Sequence, residues 1–255
     1  MWAVGSTAKG GGSAVHWDGE EWKQVGLAAP GGGDPRPVAL KAFGPRDVWA
    51  VGGLWGQRGM AQHWDGAQWT DVPVPQEASA PWTLQDVDGT APDDVWSVGY
   101  VSEPYHAVAL HWDGRTWQDV PVPDGSGKPG DPEELTDVLA AAPNDVWVGG
   151  QFGPRSTPTP FTAHWDGAQW TVVGLGSRTG TVDQLVRVDG QVQLFGTSSD
   201  GKPFALRHDG TAWRDVPAPA GNVYSATVQD GGDVLGVGAS GAPGYERPYA
   251  STYRR

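Results

Sequence analysis

The chain contains no cysteine, which excludes disulfide staples, thiolate metal sites and a cysteine nucleophile. It also has no apolar run near the ~18–20 residues that cross a bilayer, so membrane insertion is not expected. Basic residues are scarce: 17 Lys and Arg against 30 Asp and Glu give a net charge of −13 at pH 7. Nucleic acids and anionic membrane surfaces attract clustered Lys and Arg, so neither is an expected partner. No stretch keeps apolar residues at a helical spacing, and almost no helix is expected. Residues 1–12, MWAVGSTAKGGG, lack the basic-then-apolar order of a signal peptide.

Glycine, proline and tryptophan are plentiful instead, at 39, 22 and 15 residues. The first two suit a protein of short strands and tight turns. The tryptophans have a different origin, which is repetition. The string HWDGAQWT at 63–70 returns unchanged at 164–171. Its core, H-W-D-G-x-x-W, starts at His16, His63, His111 and His164, and a decayed copy, RHDGTAW, starts at Arg207. The intervals are 47, 48, 53 and 43 residues. A second phrase runs in phase with it: WAVG at 2–5, DVWAVGG at 47–53, DVWSVG at 94–99 and DVWVGG at 145–150. Weaker versions are QVQLFG at 191–196 and DVLGVG at 233–238. Only Trp55 and Trp82 stand outside these phrases.

Each unit reads as four short strands. An inner one such as TLQDVDG (83–89) is followed by a turn and then by DVWSVG, apolar on both faces as a strand between two layers should be. A loop of variable length leads to a third strand ending in HWDG, where Asp-Gly signals a tight hairpin. The fourth strand resembles WTDVPVP, whose prolines end its pairing. A four-stranded antiparallel sheet repeated at this period is a β-propeller blade. The fold class expected is therefore all-β, a propeller of four-stranded blades in one domain, 1–255. The units fall at about 1–36, 37–82, 83–133, 134–182, 183–222 and 223–255.

Six blades are expected, the first lacking its inner strand and the last its outer one. The alternative is five, with the strand near Val223–Val228 completing the N-terminal blade. A third reading is that Met1 is not the natural start and a segment precedes it. Trp49, Trp96 and Trp147 should lie between blades, and Trp64, Trp112 and Trp165 should pack with Trp69, Trp117 and Trp170 across their hairpins.

The phrase VWAVGG, followed by an aromatic-Asp turn and a Trp, is similar to the kelch repeat and to the propeller of the galactose-oxidase superfamily. The longer phrase HWDGxxWxxVPVP…LxDVxxxxPxDVWAVG resembles a repeat of large secreted actinobacterial and myxobacterial proteins. That likeness covers nearly the whole chain, is densest from 1 to 175, and implies an extracellular setting. WDGxxW is also similar to the sialidase Asp-box, one residue shorter. The copper-radical chemistry of galactose oxidase needs a cysteine and is excluded.

Five of the six histidines belong to the repeated phrase, one per unit, so they are not expected to converge on a metal. No metal and no cofactor are expected. DVDG (86–89) resembles a fragment of a calcium loop without its further ligands, and is read as strand. Chemistry outside the repeat gathers in the loops after the second and fourth strands, where function sits on a rigid scaffold. The aromatic candidates are Trp55, Trp82, Tyr105, Phe152 and Tyr245. The cationic candidates are Arg36, Arg58, Arg155 and Arg247, with Arg178 beside them. Aromatic faces with a few arginines suit sugars or peptides. Glu103, His106 and Glu246 are the weak catalytic candidates, and Asp34, Asp131 and Glu133 are further loop carboxylates.

The expected function is a non-catalytic binding or scaffolding module holding a small molecule, glycan or peptide on the loop face. The alternatives are a carbohydrate-active hydrolase or lyase using loop carboxylates, and a purely structural repeat. A protein partner, or self-association, is expected at the incomplete terminal blades.

Overall fold

The computed structural model describes all residues except 8–9, 55–57, 76–80, 103–104, 127–132, 230–232, 241–246 and 254–255. The chain divides into two compact units, Met1–Val122 and Pro123–Arg255. Each holds three antiparallel sheets. Among the described residues the only helical turn is Pro30–Gly32.

In the first unit, the first sheet contains β1 (Trp2–Ser6), β2 (Gly12–Trp17) and β3 (Trp22–Val25). The second contains β4 (Pro35–Gly44), β5 (Asp47–Leu54), β6 (Gly59–Trp64) and β7 (Trp69–Val72). The third contains β8 (Trp82–Ala91), β9 (Asp94–Ser102), β10 (Tyr105–Trp112) and β11 (Trp117–Asp119). The second unit begins with β12 (Glu133–Ala142), β13 (Asp145–Phe152), β14 (Thr159–Trp165) and β15 (Trp170–Val173). Next come β16 (Gly180–Val188), β17 (Gln191–Ser198), β18 (Pro203–His208) and β19 (Trp213–Val216). The last sheet has β20 (Asn222–Val228), β21 (Val234–Ser240) and β22 (Arg247–Tyr253).

These are the six blades of a β-propeller, four of them with four strands and two with three. Among the described residues the first blade shows no inner strand and the sixth no outer one. The five-blade alternative is set aside, because β20 pairs with β21 inside its own sheet.

The glycine of the VWAVG phrase has a steric cause. The inner strand of blades two to six carries a bulge, which skips Val38, Gln85, Thr136, Asp183 and Tyr224 in the pairing with the second strand. The bulge turns a carbonyl of the inner strand toward the second strand. A Cβ at Gly52, Gly99, Gly150 or Gly238 would lie 2.0 Å from that carbonyl oxygen, and one at Gly196 would lie 2.4 Å away. No side chain fits there.

The tryptophans interlock neighbouring blades. In the first unit Trp2 lies 4.8 Å from Trp64 and 5.2 Å from Trp69 between ring centroids. Trp49 meets Trp112 and Trp117 in the same way, at 5.0 and 5.2 Å. In the second unit Trp147 meets His208 at 4.8 Å and Trp213 at 5.6 Å. The hairpin pairs form as expected: Trp64–Trp69, Trp112–Trp117 and Trp165–Trp170 sit 5.5–5.8 Å apart. Burying one such indole removes ~150–250 Å² from water, an upper bound of about 4–6 kcal/mol.

In blades two, three and four the histidine of the phrase works inside its own blade. Its Nε2 meets the Asp that opens the second strand: Asp47–His63 at 2.9 Å, Asp94–His111 at 2.7 Å and Asp145–His164 at 3.0 Å. Its ring also packs on the second-strand Trp, as in Trp96–His111 at 4.4 Å. In the fifth blade Gln193 and Arg207 take the Trp and His places, and the Arg207 guanidinium donates to Gln193 Oε1 at 2.9 Å. DVDG lies inside β8, and Asp88 accepts from Lys41 of the neighbouring blade at 2.6 Å.

Candidate functional site

The two ends of each blade differ. At one end the connections are short and repeated. In every DGxx turn the Asp carboxylate accepts from two backbone N–H groups, as Asp65 does from Ala67 and Gln68 at 2.8 and 2.9 Å. The glycine behind it has positive φ, +99° at Gly66, which it adopts at little cost. The opposite end carries the longer, non-repeated connections, and there the strand-end rows hold unusual residues.

In blade two, Arg36, Gly53 and Gly59 form the row. The Arg36 guanidinium donates to Asp34 Oδ2 at 3.1 Å. Arg58, just before Gly59, donates to Asp71 Oδ2 and to the Gly59 carbonyl, both at 3.0 Å. In blade three the row is Trp82, Val101 and His106. Tyr105 stacks on Tyr100 with centroids 5.1 Å apart and planes 20° apart. Arg36, Arg58, Trp82, Tyr105 and His106 are thus brought to one end of two neighbouring blades.

Trp82, one of the aromatic candidates for an exposed ligand-stacking face, is instead buried. Its side chain is 4 % exposed and belongs to the core of the first unit. The indole lies flat over Gly59, where a Cβ would come within 2.3 Å of the ring. Trp82 is the floor of this end, and the Tyr100–Tyr105 pair presents the half-exposed aromatic surface.

In blade four of the second unit, Glu133, Phe152 and Thr159 form the row. Phe152 meets Phe161 edge-on at 6.0 Å. Glu133 is 7 % exposed, and its Oε1 accepts from the Gly125 N–H at 2.5 Å. Burial, with Asp124 as a neighbouring carboxylate, pushes the Glu133 carboxyl up to about 7. Arg155 is exposed in the turn after β13. Arg247 opens β22 opposite Ser240. Arg178 is occupied by the Leu175 carbonyl and by Asp215, at 2.7 and 2.6 Å. Trp55, Glu103, Asp131, Tyr245 and Glu246 lie outside the described residues.

Sequence reasoning missed Tyr100 and Asp124. Tyr100 takes the place that Gly53 and Gln151 hold in other copies, and an aromatic ring at that place was the available signal. Asp124 sits in PDGSG (123–127), which reads as an ordinary turn. Among the described residues no group of three His, Asp or Glu side chains is placed to hold a metal ion.

No protein family and no curated protein matches the sequence. Solved structures do match. YCF48 bound to D1 peptide superposes with a TM-score of 0.60 at 14 % identity, covering 93 % of this chain and 71 % of that one. AofleA from Arthrobotrys oligospora, in a triple arginine-to-alanine form, gives 0.61 at 14 % identity over 99 % of this chain and 79 % of that one. The SapL1 lectin in complex with alpha methyl fucoside gives 0.58 at 16 % identity over 97 % and 83 %. The shared feature is the fold. At such identities the residues of a site do not transfer from one chain to another.

Proposed function

We propose that this protein is a non-catalytic propeller that binds a glycan or a short peptide at the loop end of its blades. The observation that carries this reading is the segregation of chemistry. One end of each blade repeats a structural turn, while the other gathers arginines and aromatic rings that the fold's repeat does not require. The stacked Tyr100–Tyr105 pair offers flat apolar area of the kind that sugar rings and peptide side chains use. In the first unit Arg36 supplies hydroxyl or carboxylate contacts, and Trp82 with Arg58 supports the tyrosine pair from beneath; in the second unit Phe152, Arg155 and Arg247 offer the same kinds of contact. Trp55 and Tyr245 belong to the same proposal. Fold neighbours that bind a peptide and a fucoside are in keeping with it. The repeat phrase supports a kelch-like, extracellular propeller.

A thermal-shift screen against oligosaccharides, uronates and short peptides tests the proposal. A ligand that stabilises the protein, and loses that effect in Tyr105→Ala while Arg178→Ala retains it, is the expected result. No stabilisation by any member of the panel would count against it.

A second reading has one observation in its favour. Glu133, held protonated to about pH 7 beside Asp124, is suited to general acid work on a glycosidic or uronate substrate. Glu103, His106 and Glu246 remain candidates in that reading. Turnover of any screened glycan that is abolished by Glu133→Gln, with binding retained, would replace the first reading by this one.

A further inference from the structure

A short bend ahead of β12 lies across the loop end of blade four. It consists of Asp124, Gly125 and Ser126, and Asp124 closes it on itself. Its Oδ1 accepts from the Ser126 N–H at 2.8 Å and from the Ser126 hydroxyl at 2.7 Å. A Cβ at Gly125 would come within 3.0 Å of the Phe152 ring and 3.1 Å of the Phe161 ring. The missing side chain lets the backbone settle on both rings. Phe161 is buried and Phe152 half-buried.

One side chain ties the bend down. Glu133 opens β12 opposite Phe152, and its Oε1 accepts from the Gly125 N–H at 2.5 Å. That contact leaves the carboxyl buried, with the Asp124 carboxyl beside it, close enough to share a proton. The other elements around Glu133 bring no compensating charge. In its row β13 offers Phe152 and β14 offers Thr159. Next along β12 stands a further acid, Glu134, whose Oε2 accepts from Gln151 Nε2 at 3.1 Å. Among the described residues Glu133 has no cationic partner. A buried carboxyl with a carboxyl neighbour and no cation resists ionisation, which agrees with its being held up to about 7 against an ordinary 4.5.

We propose that residues 124–126 are a proton-operated strap, closed over Phe152 while Glu133 carries its proton and released when Glu133 ionises. In the closed form one proton lies between the Glu133 and Asp124 carboxyls, and Glu133 Oε1 keeps the Gly125 N–H. Loss of that proton sets two negative charges side by side, one of them cut off from water. Lifting the bend wets Glu133 and separates the charges. It gives up one hydrogen bond and the contact of Gly125 with the two rings. What it uncovers is Phe152, so in this respect the strap rests on the loop-end reading: it sets how much aromatic surface the second unit offers a ligand. Glu133 titrates near 4.5 in the open bend and near 7 in the closed one. Below about 4.5 both forms hold the proton and closure is strongest. From there to about 7 each pH unit favours opening by up to about tenfold, and above that no further.

Hydrogen exchange at the Gly125 amide of the free protein, corrected for the intrinsic rate, reads the strap directly. The expected result is protection that falls by roughly tenfold or more from about pH 5 to about pH 7 and then levels off. Protection at Leu135 and Val148, in the strands beneath, stays constant. Glu133→Gln still accepts from the Gly125 N–H and still donates to Asp124 but cannot ionise, so it keeps Gly125 protected at every pH. Asp124→Asn retains the acceptor for Ser126 and removes the neighbouring charge, so it shrinks the fall; it also serves if Glu133→Gln does not fold. A flat wild-type profile, a fall shared by Leu135 and Val148, or a fall undiminished in either variant overturns the proposal. The measurement needs no ligand. A blank ligand screen would therefore count against the loop-end reading and leave the strap standing, whereas a flat profile would do the reverse.

Discussion

A single hydroxyl distinguishes two otherwise alike tryptophan sites. Trp213 and Trp117 occupy the same place in blades five and three, each buried against the preceding blade. Trp213 Nε1 donates to Thr162 Oγ1 at 3.0 Å, whereas Trp117 Nε1 has no partner among the described residues. The residue matching Thr162 in blade two is Ala61, fully buried in the same core as Trp117. Ala61→Thr is therefore expected to stabilise the protein by about 1 kcal/mol. At this chain length that is a rise of about 2–4 °C in the thermal midpoint. Calorimetry of the variant checks it, and a fall in the midpoint would mean that the methyl and hydroxyl do not fit. The placement of His63, His111 and His164 at one per blade was readable in sequence from the repeat, but their pairing with Asp47, Asp94 and Asp145 was not, since it needs the register between the second and third strands. The burial of Trp82 was not, since it depends on Gly59 leaving room in the adjacent blade. The Glu133–Asp124 proximity was hidden for the same reason: loop closure, not spacing, brings them together.

The DGxx hairpin shows how an element carries its own stability. The aspartates at 65, 113 and 166 are held below the usual carboxylate range by the two N–H groups they accept from. A depressed carboxyl contributes stability above its unfolded value near 3.8 and loses it as the pH falls through the folded value. The protein should therefore lose thermal stability as the pH falls below about 4. The triple substitution Asp65→Asn, Asp113→Asn and Asp166→Asn, which retains an acceptor without a titrating charge, should flatten that loss. Melting curves across this range test it, and an unchanged slope would place acid sensitivity elsewhere. The strands around these hairpins were legible because alternation and the Asp-Gly signal are local. The inner-strand bulges were not, although their imprint, the invariant glycine within each copy of VWAVG, was visible. A bulge is a mismatch between two strands, and one strand's letters do not display it.

For the molecule as a whole, charge and repetition act together. Seventeen cations against thirty anions leave an excess of −13, and several of the cations are already committed to ion pairs, such as Arg58 with Asp71 and Lys41 with Asp88. Long-range repulsion among the remaining carboxylates should thus outweigh local attraction. Raising the ionic strength from about 0.01 M to about 0.15 M shortens the screening length from ~30 Å to ~8 Å and should raise the thermal midpoint. A drop would show the ion pairs to be the larger effect. The repeat period announced the fold class and the two incomplete blades in advance, because each blade is one copy of a phrase.

Gly5 is the one glycine of its column with no neighbour near its Cβ position among the described residues. Under selection for folding alone, position 5 would be free to drift, and the larger β-forming residues that suit an open strand would accumulate there. Positions 52, 99, 150, 196 and 238 would stay fixed.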